Sequence, residues 1–289
     1  VQIRSFVLLM FSICSEHAVR NPLMVSILSA SCPVLSAACD AVSLDDLRQR
    51  IARLERAGRP MGERAAGHMA FGVPGIDGAL PGGGLPLGAL HEVCGAGPDS
   101  EHATCAALWV GGLLARARGT VVWALERADV FAPALAGIGL HPDRVVYAAA
   151  GKQAEVLAVM EEALRHRGLA AVVGEISGRL SLTASRRLQL SAETSGVVAF
   201  VVRRSRRHDD PAFGEPSAAV TRWRVVALPS PPDPLPGLGR ACWRLELVRC
   251  RGGVPAAWNV EACDATGRLA LAADVADRSY SALGQRATG

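Results

Sequence analysis

Short aliphatic runs and helix-period segments alternate through the middle of this chain, and the alternation predicts an α/β layout. Ala89 to Cys94 predicts a strand, followed by a glycine-containing turn at Gly95 to Gly97 and a helix from Glu101 to Ala117 that stops near Gly119. Thr120 to Leu125 is the next aliphatic strand, Val130 to Ala136 a short helix, and Arg144 to Ala148 a strand. Glu155 to Arg167 predicts a helix ended by Gly168, and Leu169 to Val173 a strand. Leu182 to Ser195 predicts a helix and Gly196 to Val202 a further strand. Strands separated by helices imply right-handed βαβ units and a mostly parallel sheet with helices on both faces.

The flanks read differently. Ser43 with Asp46 three residues on forms a capping box with Asp in place of Glu. Leu47, Ile51 and Leu54 then recur at helical spacing until Gly58 and Pro60 end the helix. Phe71 to Gly88 carries so many glycines that it predicts tight turns with positive φ rather than a regular element. After Arg207 the composition shifts, with acids, Pro and Gly over 208–217 and a proline-rich stretch over 229–239. Arg222 to Leu228, Cys242 to Arg249 and Ala256 to Cys263 alternate apolar with polar positions and predict antiparallel strands that finish the sheet. The chain therefore divides into 1–41, an extension expected to be disordered or to precede the true start, 42–207, an α/β core, and 208–289, a β-rich extension and tail. Val1 opens the sequence and Met24 is an alternative start. The apolar run Phe6 to Cys14 is cut short by Ser15, Glu16 and His17, below the roughly twenty residues that cross a bilayer. No membrane partner is expected.

Composition narrows the picture. Half of the 289 residues are apolar and 20% are charged, as in a soluble globular protein, but aromatics make up only 4%, so burial must come from aliphatic packing. The net charge of +4 is carried almost wholly by arginine, and Lys152 is the only lysine. Chemistry that needs an ammonium group has one candidate. The eight cysteines show no C-x-x-C pair and no zinc-like Cys/His spacing, so they read as reduced thiols and the protein as cytoplasmic.

A strand, a glycine turn and a helix in that order make the setting of a phosphate-binding loop, whose backbone N–H groups point into one concavity at a positive helix terminus. Its lysine neutralises phosphate charge and a Ser or Thr hydroxyl ligates magnesium. Here Gly97 and Thr104 have the template spacing, but His102 stands at the second glycine position and Ala103 at the lysine position. Starting at Gly95 instead puts Ser100 and Glu101 there. A methyl group in place of the ammonium removes a charge-assisted contact, while Asp99 and Glu101 repel a triphosphate. Glu126 and Glu175 follow predicted strands, where such enzymes place metal-coordinating or water-polarising acids; each is also read as a solvated or salt-bridged strand end. His91 and His102 read as structural rather than as ligands. Neither a metal nor a cofactor is expected. Arg203, Arg204, Arg206 and Arg207 are candidates for DNA or partner contact, with a solvated strand end or pairing to Asp209 and Asp210 as the other reading. Arg249 and Arg251, beside Trp243 and Arg244, suit a protein interface.

Phe71 to Leu90, the loop from Gly95 to Thr104 and the order of strands to Val202 resemble the RecA ATPase core. His91-Glu92-Val93 before Gly95-Ala96-Gly97-Pro98, then Glu101-His102, resemble more closely the RecA-like ImuA family of damage-inducible mutagenesis accessory proteins. Trp243-Arg244-Leu245-Glu246-Leu247-Val248-Arg249, Arg251-Gly252-Gly253, Trp258, Glu261 and Asp264 are similar to that family too. The resemblance covers roughly residues 43 to 275. It implies a degenerate RecA-like core over 42–207 and a non-catalytic role in SOS-induced, error-prone translesion synthesis. The implied partners are an ImuB-like Y-family protein and a DnaE-type polymerase, with RecA and DNA as further candidates. The other readings are a weak RecA-type ATPase that mediates recombination, with Arg127 or Arg179 replacing the lysine, and a damage-induced inhibitor of cell division.

Overall fold

The computed structural model describes residues 67–205, 214–230 and 240–272. The N-terminal extension, the helix expected from Ser43, and Arg206 and Arg207 lie outside the described residues.

The glycine-rich opening contains more regular structure than expected. A two-stranded ladder pairs β1 (His68–Met69) with β2 (Leu85–Pro86) around a single helical turn, α1 (Pro74–Asp77). The turn is held by the Asp77 carboxylate, which accepts from the Phe71 and Gly72 amides at 2.6 and 2.9 Å. Gly82 and Gly83 do take positive φ, 79° and 75°.

Next in the chain come β3 (Leu90–Gly95), α2 (Asp99–Ala115), β4 (Val121–Leu125), α3 (Ala132–Gly137), β5 (Val145–Ala149) and α4 (Gln153–Ala163). Then follow β6 (Ala171–Ile176), α5 (Leu182–Ser195), β7 (Val198–Arg203), β8 (Thr221–Leu228), β9 (Cys242–Cys250), β10 (Ala256–Glu261) and β11 (Ala270–Leu271). The sheet of nine strands has the order β11-β10-β9-β8-β3-β7-β6-β4-β5. The stretch from β8 to β5 is parallel throughout, and β9, β10 and β11 are added antiparallel at the edge.

One expectation needs correction. Arg222 to Leu228 is expected to be antiparallel; β8 is antiparallel to β9 but runs parallel to β3, with Glu92 opposite Arg222. An alternating pattern shows that a strand has one covered and one open face; it carries no information about its direction. The sheet also continues without interruption from the α/β core into the C-terminal strands.

Every position of β4, β6 and β7 is buried, as required of strands with helices on both sides. On one face Trp109, Val110, Leu113 and Leu114 of α2 and Leu135 of α3 pack against Val121, Trp123, Val173 and Phe200. On the other, Val156, Val159 and Met160 of α4 and Leu188 and Ala192 of α5 pack against Val122, Val172 and Val201. Few aromatics are present, but four of them form one chain of ring contacts, Phe71–Trp109–Trp223–Trp258, joining α2 to β8 and β10. Helix α5 is capped as its sequence dictates: the Ser181 hydroxyl accepts from the Ala184 amide, and Gly196 closes it with φ 77°.

Helix α2 carries Gly111 and Gly112 in its middle. A Cβ on Gly111 would collide with Leu135 of α3, and one on Gly112 with the Cys263 thiol. Gly112 thus forms a notch in which the segment between β10 and β11 lies directly on the helix backbone, and Gly111 admits α3.

Candidate functional site

In open parallel sheets, ligands bind outside the carboxyl ends of the strands. At that edge, the ends of β4, β6 and β7 enclose a small cleft lined by Glu126, Arg127, Asp129, Glu175, Ser177 and Arg204. The cleft is small, and six charged or polar side chains line it.

The loop from β3 to α2 borders this cleft, but it is short. Strand β3 reaches Gly95 and α2 already starts at Asp99, so Ser100, His102, Ala103 and Thr104 belong to the helix rather than to a loop around a ligand. A Cβ on Gly95 would collide with His102, so the glycine admits the first turn of the helix against the strand. Three of the segment's amides are turned to the protein. Ala96 N donates to Val225 O at 3.1 Å, Asp99 N to Ser205 O at 2.7 Å, and His102 N to Pro98 O at 3.1 Å. His102 accepts at Nδ1 from the Ala227 amide, 3.4 Å away, and Thr104 is exposed.

A helix N-terminus attracts an anion. The anion here is the protein's own Asp99 carboxylate, which accepts from the Ser205 amide at 2.9 Å and from Arg204 Nε at 2.8 Å. Arg204 reaches on to Glu175 Oε2 at 2.6 Å and to Asp129 at 3.2 Å. One guanidinium therefore joins α2, the turn after β4 and the end of β6. Burial disfavours the charge on Arg204, but the hydrogen bonds it donates to Asp99 and Glu175 outweigh this and hold the group above the usual arginine range. Burial likewise raises the Glu175 carboxyl, against the hydrogen bonds it accepts from Arg204 and from Trp123 Nε1. Glu126 has a separate role, accepting from the Ser177 amide at 2.9 Å and the Ser177 hydroxyl at 2.5 Å, which ties the ends of β4 and β6 together.

A second ionic cluster lies on the opposite face of the sheet. Glu92 is buried in mid-strand and accepts from Arg203 Nη1, Arg222 Nε and Ser217 Oγ at 3.0, 3.0 and 2.8 Å. The neighbouring His91 is also buried, between the Thr221 hydroxyl at 2.8 Å and the Pro86 carbonyl at 3.0 Å. Desolvation lowers its pKa to about 4, against the hydrogen bond to the Pro86 carbonyl, which raises it.

Of the basic candidates, Arg203 and Arg204 are both turned into internal carboxylates. Trp243 is 2% exposed and belongs to the core. Arg249 and Arg251 are at the surface, Arg249 holding the Ser217 carbonyl at 2.8 Å. Asp129, Ser177 and Arg222 are not among the candidates from the sequence, and Glu92 enters there only as part of the family-like segment, with no role of its own. The signal for Glu92, Arg203 and Arg222 was a charge inside an aliphatic run, which demands an internal partner. Among the described residues no group of three or more His, Cys, Asp or Glu side chains is placed to hold a metal ion, and no helix is long and apolar enough to cross a membrane.

A parallel sheet with its loop-bearing strand between two parallel neighbours, helices on both faces and an antiparallel edge defines an open α/β protein. No family model matches the chain. Protein ImuA of Caulobacter vibrioides strain NA1000 / CB15N is 45% identical over 208 residues, which span 68% of this chain and 84% of that protein. Protein ImuA of strain ATCC 19089 / CIP 103742 / CB 15 matches with the same identity and coverage. The crystal structure of the RadB recombinase is similar with a TM-score of 0.48 at 19% identity, covering 67% of this chain and 95% of that one. The chain belongs to the ImuA family.

Proposed function

We propose that this chain is a non-hydrolysing RecA-like accessory protein of damage-induced mutagenesis, acting beside an ImuB-like Y-family protein and an error-prone DnaE-type polymerase in translesion synthesis. One observation carries the non-hydrolysing part: Arg204 sits among Asp99, Asp129 and Glu175 and ties the start of α2 to the end of β6. A triphosphate seated there would have to break these charge-assisted bonds and detach the Asp99 amide from Ser205. It would also meet Asp99, Glu126, Asp129 and Glu175 against only Arg127 and Arg204, a balance that repels an anion. Membership of the ImuA family supports the placement in mutagenesis.

Calorimetric titration of the purified protein with a non-hydrolysable ATP analogue and magnesium tests the reading. A flat trace is the expected result. Magnesium-dependent ATP hydrolysis that disappears in Glu175→Ala would overturn it.

A further inference from the structure

At the amino edge of the sheet, opposite the cleft, three connections come together. They lead into β4, β5 and β6, which lie side by side in the order β6-β4-β5. Gly119 is at their centre. Its carbonyl accepts from the Arg144 guanidinium at 3.2 Å, and a Cβ built on it would lie 3.8 Å from the Gly168 carbonyl. The Thr120 carbonyl accepts from the Ala170 amide at 2.8 Å, which fixes the two turns against each other. The residues preceding the two touching glycines are Arg118 and Arg167, both exposed and neither engaging a carboxylate among the described residues.

Arg144 and Arg165 complete the group. Arg144 caps the end of α2 by donating to the carbonyls of Leu114 and Ala115 at 3.3 and 3.0 Å, so it fixes the shape of the turn and adds charge to it. Arg165 is exposed and pairs with Glu162 at 2.8 Å. His141 and His166 lie in the same connections. Four arginines therefore face two carboxylates, Asp143 and Glu162, where the opposite edge has four carboxylates and two arginines. Adjacent strands are about 4.8 Å apart, so three strand starts span about 10 Å, a width that reaches more than one phosphate of a nucleic-acid strand. Arg116 does not belong to this surface, because it turns inward to the Phe71 carbonyl.

We propose that the turn pair around Gly119 and Gly168, with Arg118, Arg165 and Arg167 projecting and Arg144 bracing it, is a binding site for the phosphate backbone of DNA. Nothing in the site reads a base edge, so the contact is independent of sequence and strongly dependent on salt. The inference does not rest on the silence of the cleft: nucleotide titration tests that reading, and DNA binding tests this one.

The test is fluorescence anisotropy with a labelled single-stranded DNA of mixed sequence, titrated between about 50 and 200 mM salt. The full chain is expected to bind with a negative log–log salt slope. The triple variant Arg118→Ala, Arg165→Ala, Arg167→Ala should lose at least about tenfold in affinity at the lower salt, with the slope shallower by about 0.7 for each phosphate contact removed. Lysine at the same three positions should retain most of the binding. A control triple, Arg244→Ala, Arg249→Ala, Arg251→Ala, should bind as the parent does. Three results overturn the proposal: no binding by the parent, equal loss in the control triple, or competition by polyglutamate as effective as competition by unlabelled DNA, which would assign the surface to an acidic protein.

Discussion

Arg203 and Arg204 are neighbours in sequence and have opposite fates. Strand β7 alternates its side chains between the two faces of the sheet, so Arg203 enters a dry cluster with Glu92 and Arg222, while Arg204 emerges at the cleft among Asp99, Asp129 and Glu175. The side chains of Arg203 and Glu92 are 2% and 1% exposed; those of Arg204 and Asp129 are 17% and 43% exposed. The same ion pair chemistry therefore has two consequences. In the dry cluster the partners hold strands β3, β7 and β8 in register, and each is costly to remove. At the cleft, water reaches part of the network, and the arginine chiefly decides what else can enter.

Three experiments put this contrast at risk. The largest effect is expected from Glu92→Ala, which leaves two buried guanidinium groups without their shared carboxylate and should cost about 3–5 kcal/mol in urea unfolding. A loss below about 1 kcal/mol would mean that the dry cluster contributes little.

His91 comes next, because it shows what a neutral group does on the same strand. Its pKa falls from 6.5 to about 4 through burial, so the folded protein binds that proton less well than the unfolded chain does. The stability it contributes is complete above pH 6.5 and is lost as the pH falls towards 4, by about 3 kcal/mol at most. Parallel unfolding curves of the parent and His91→Gln should show the parent losing this extra amount between neutral pH and pH 4. Identical pH slopes would contradict the assignment.

The smallest effect belongs to Arg204→Ala, about 1–3 kcal/mol, since two of the three carboxylates left behind, Asp99 and Asp129, are partly hydrated and only Glu175 is buried. That variant differs from the others in one respect. Millimolar magnesium should raise its Tm by neutralising Asp99, Asp129 and Glu175, and should leave the parent unmoved. If both respond alike, Arg204 is not what fills the cleft.

Much of the fold was legible in the sequence because interior parallel strands are aliphatic runs. Thr120 to Leu125 appears as Val121–Leu125, and Gly196 to Val202 as Val198–Arg203. Leu182 to Ser195 is reproduced at both ends, because Ser181 and Gly196 are strong caps. The direction of β8 was not legible, since alternation is the same in parallel and antiparallel strands. The site divides in the same way. The strand-turn-helix unit at Gly95 to Thr104 could be compared with a phosphate loop by local spacing alone. The arginine that closes the cleft could not be found that way, because its partners are 105, 75 and 29 residues distant. What the sequence did contain was parity: two consecutive arginines at the end of a buried strand must point to opposite sides.

The notch at Gly112 has an architectural consequence. The helix that begins beside Arg204 is clasped midway by the turn carrying Cys263 and Gly267, so the last strands of the sheet act as a brace for its first crossover. Shortening the chain ahead of Cys263 would strip that brace and loosen the cleft from behind, although no residue lining it had been touched.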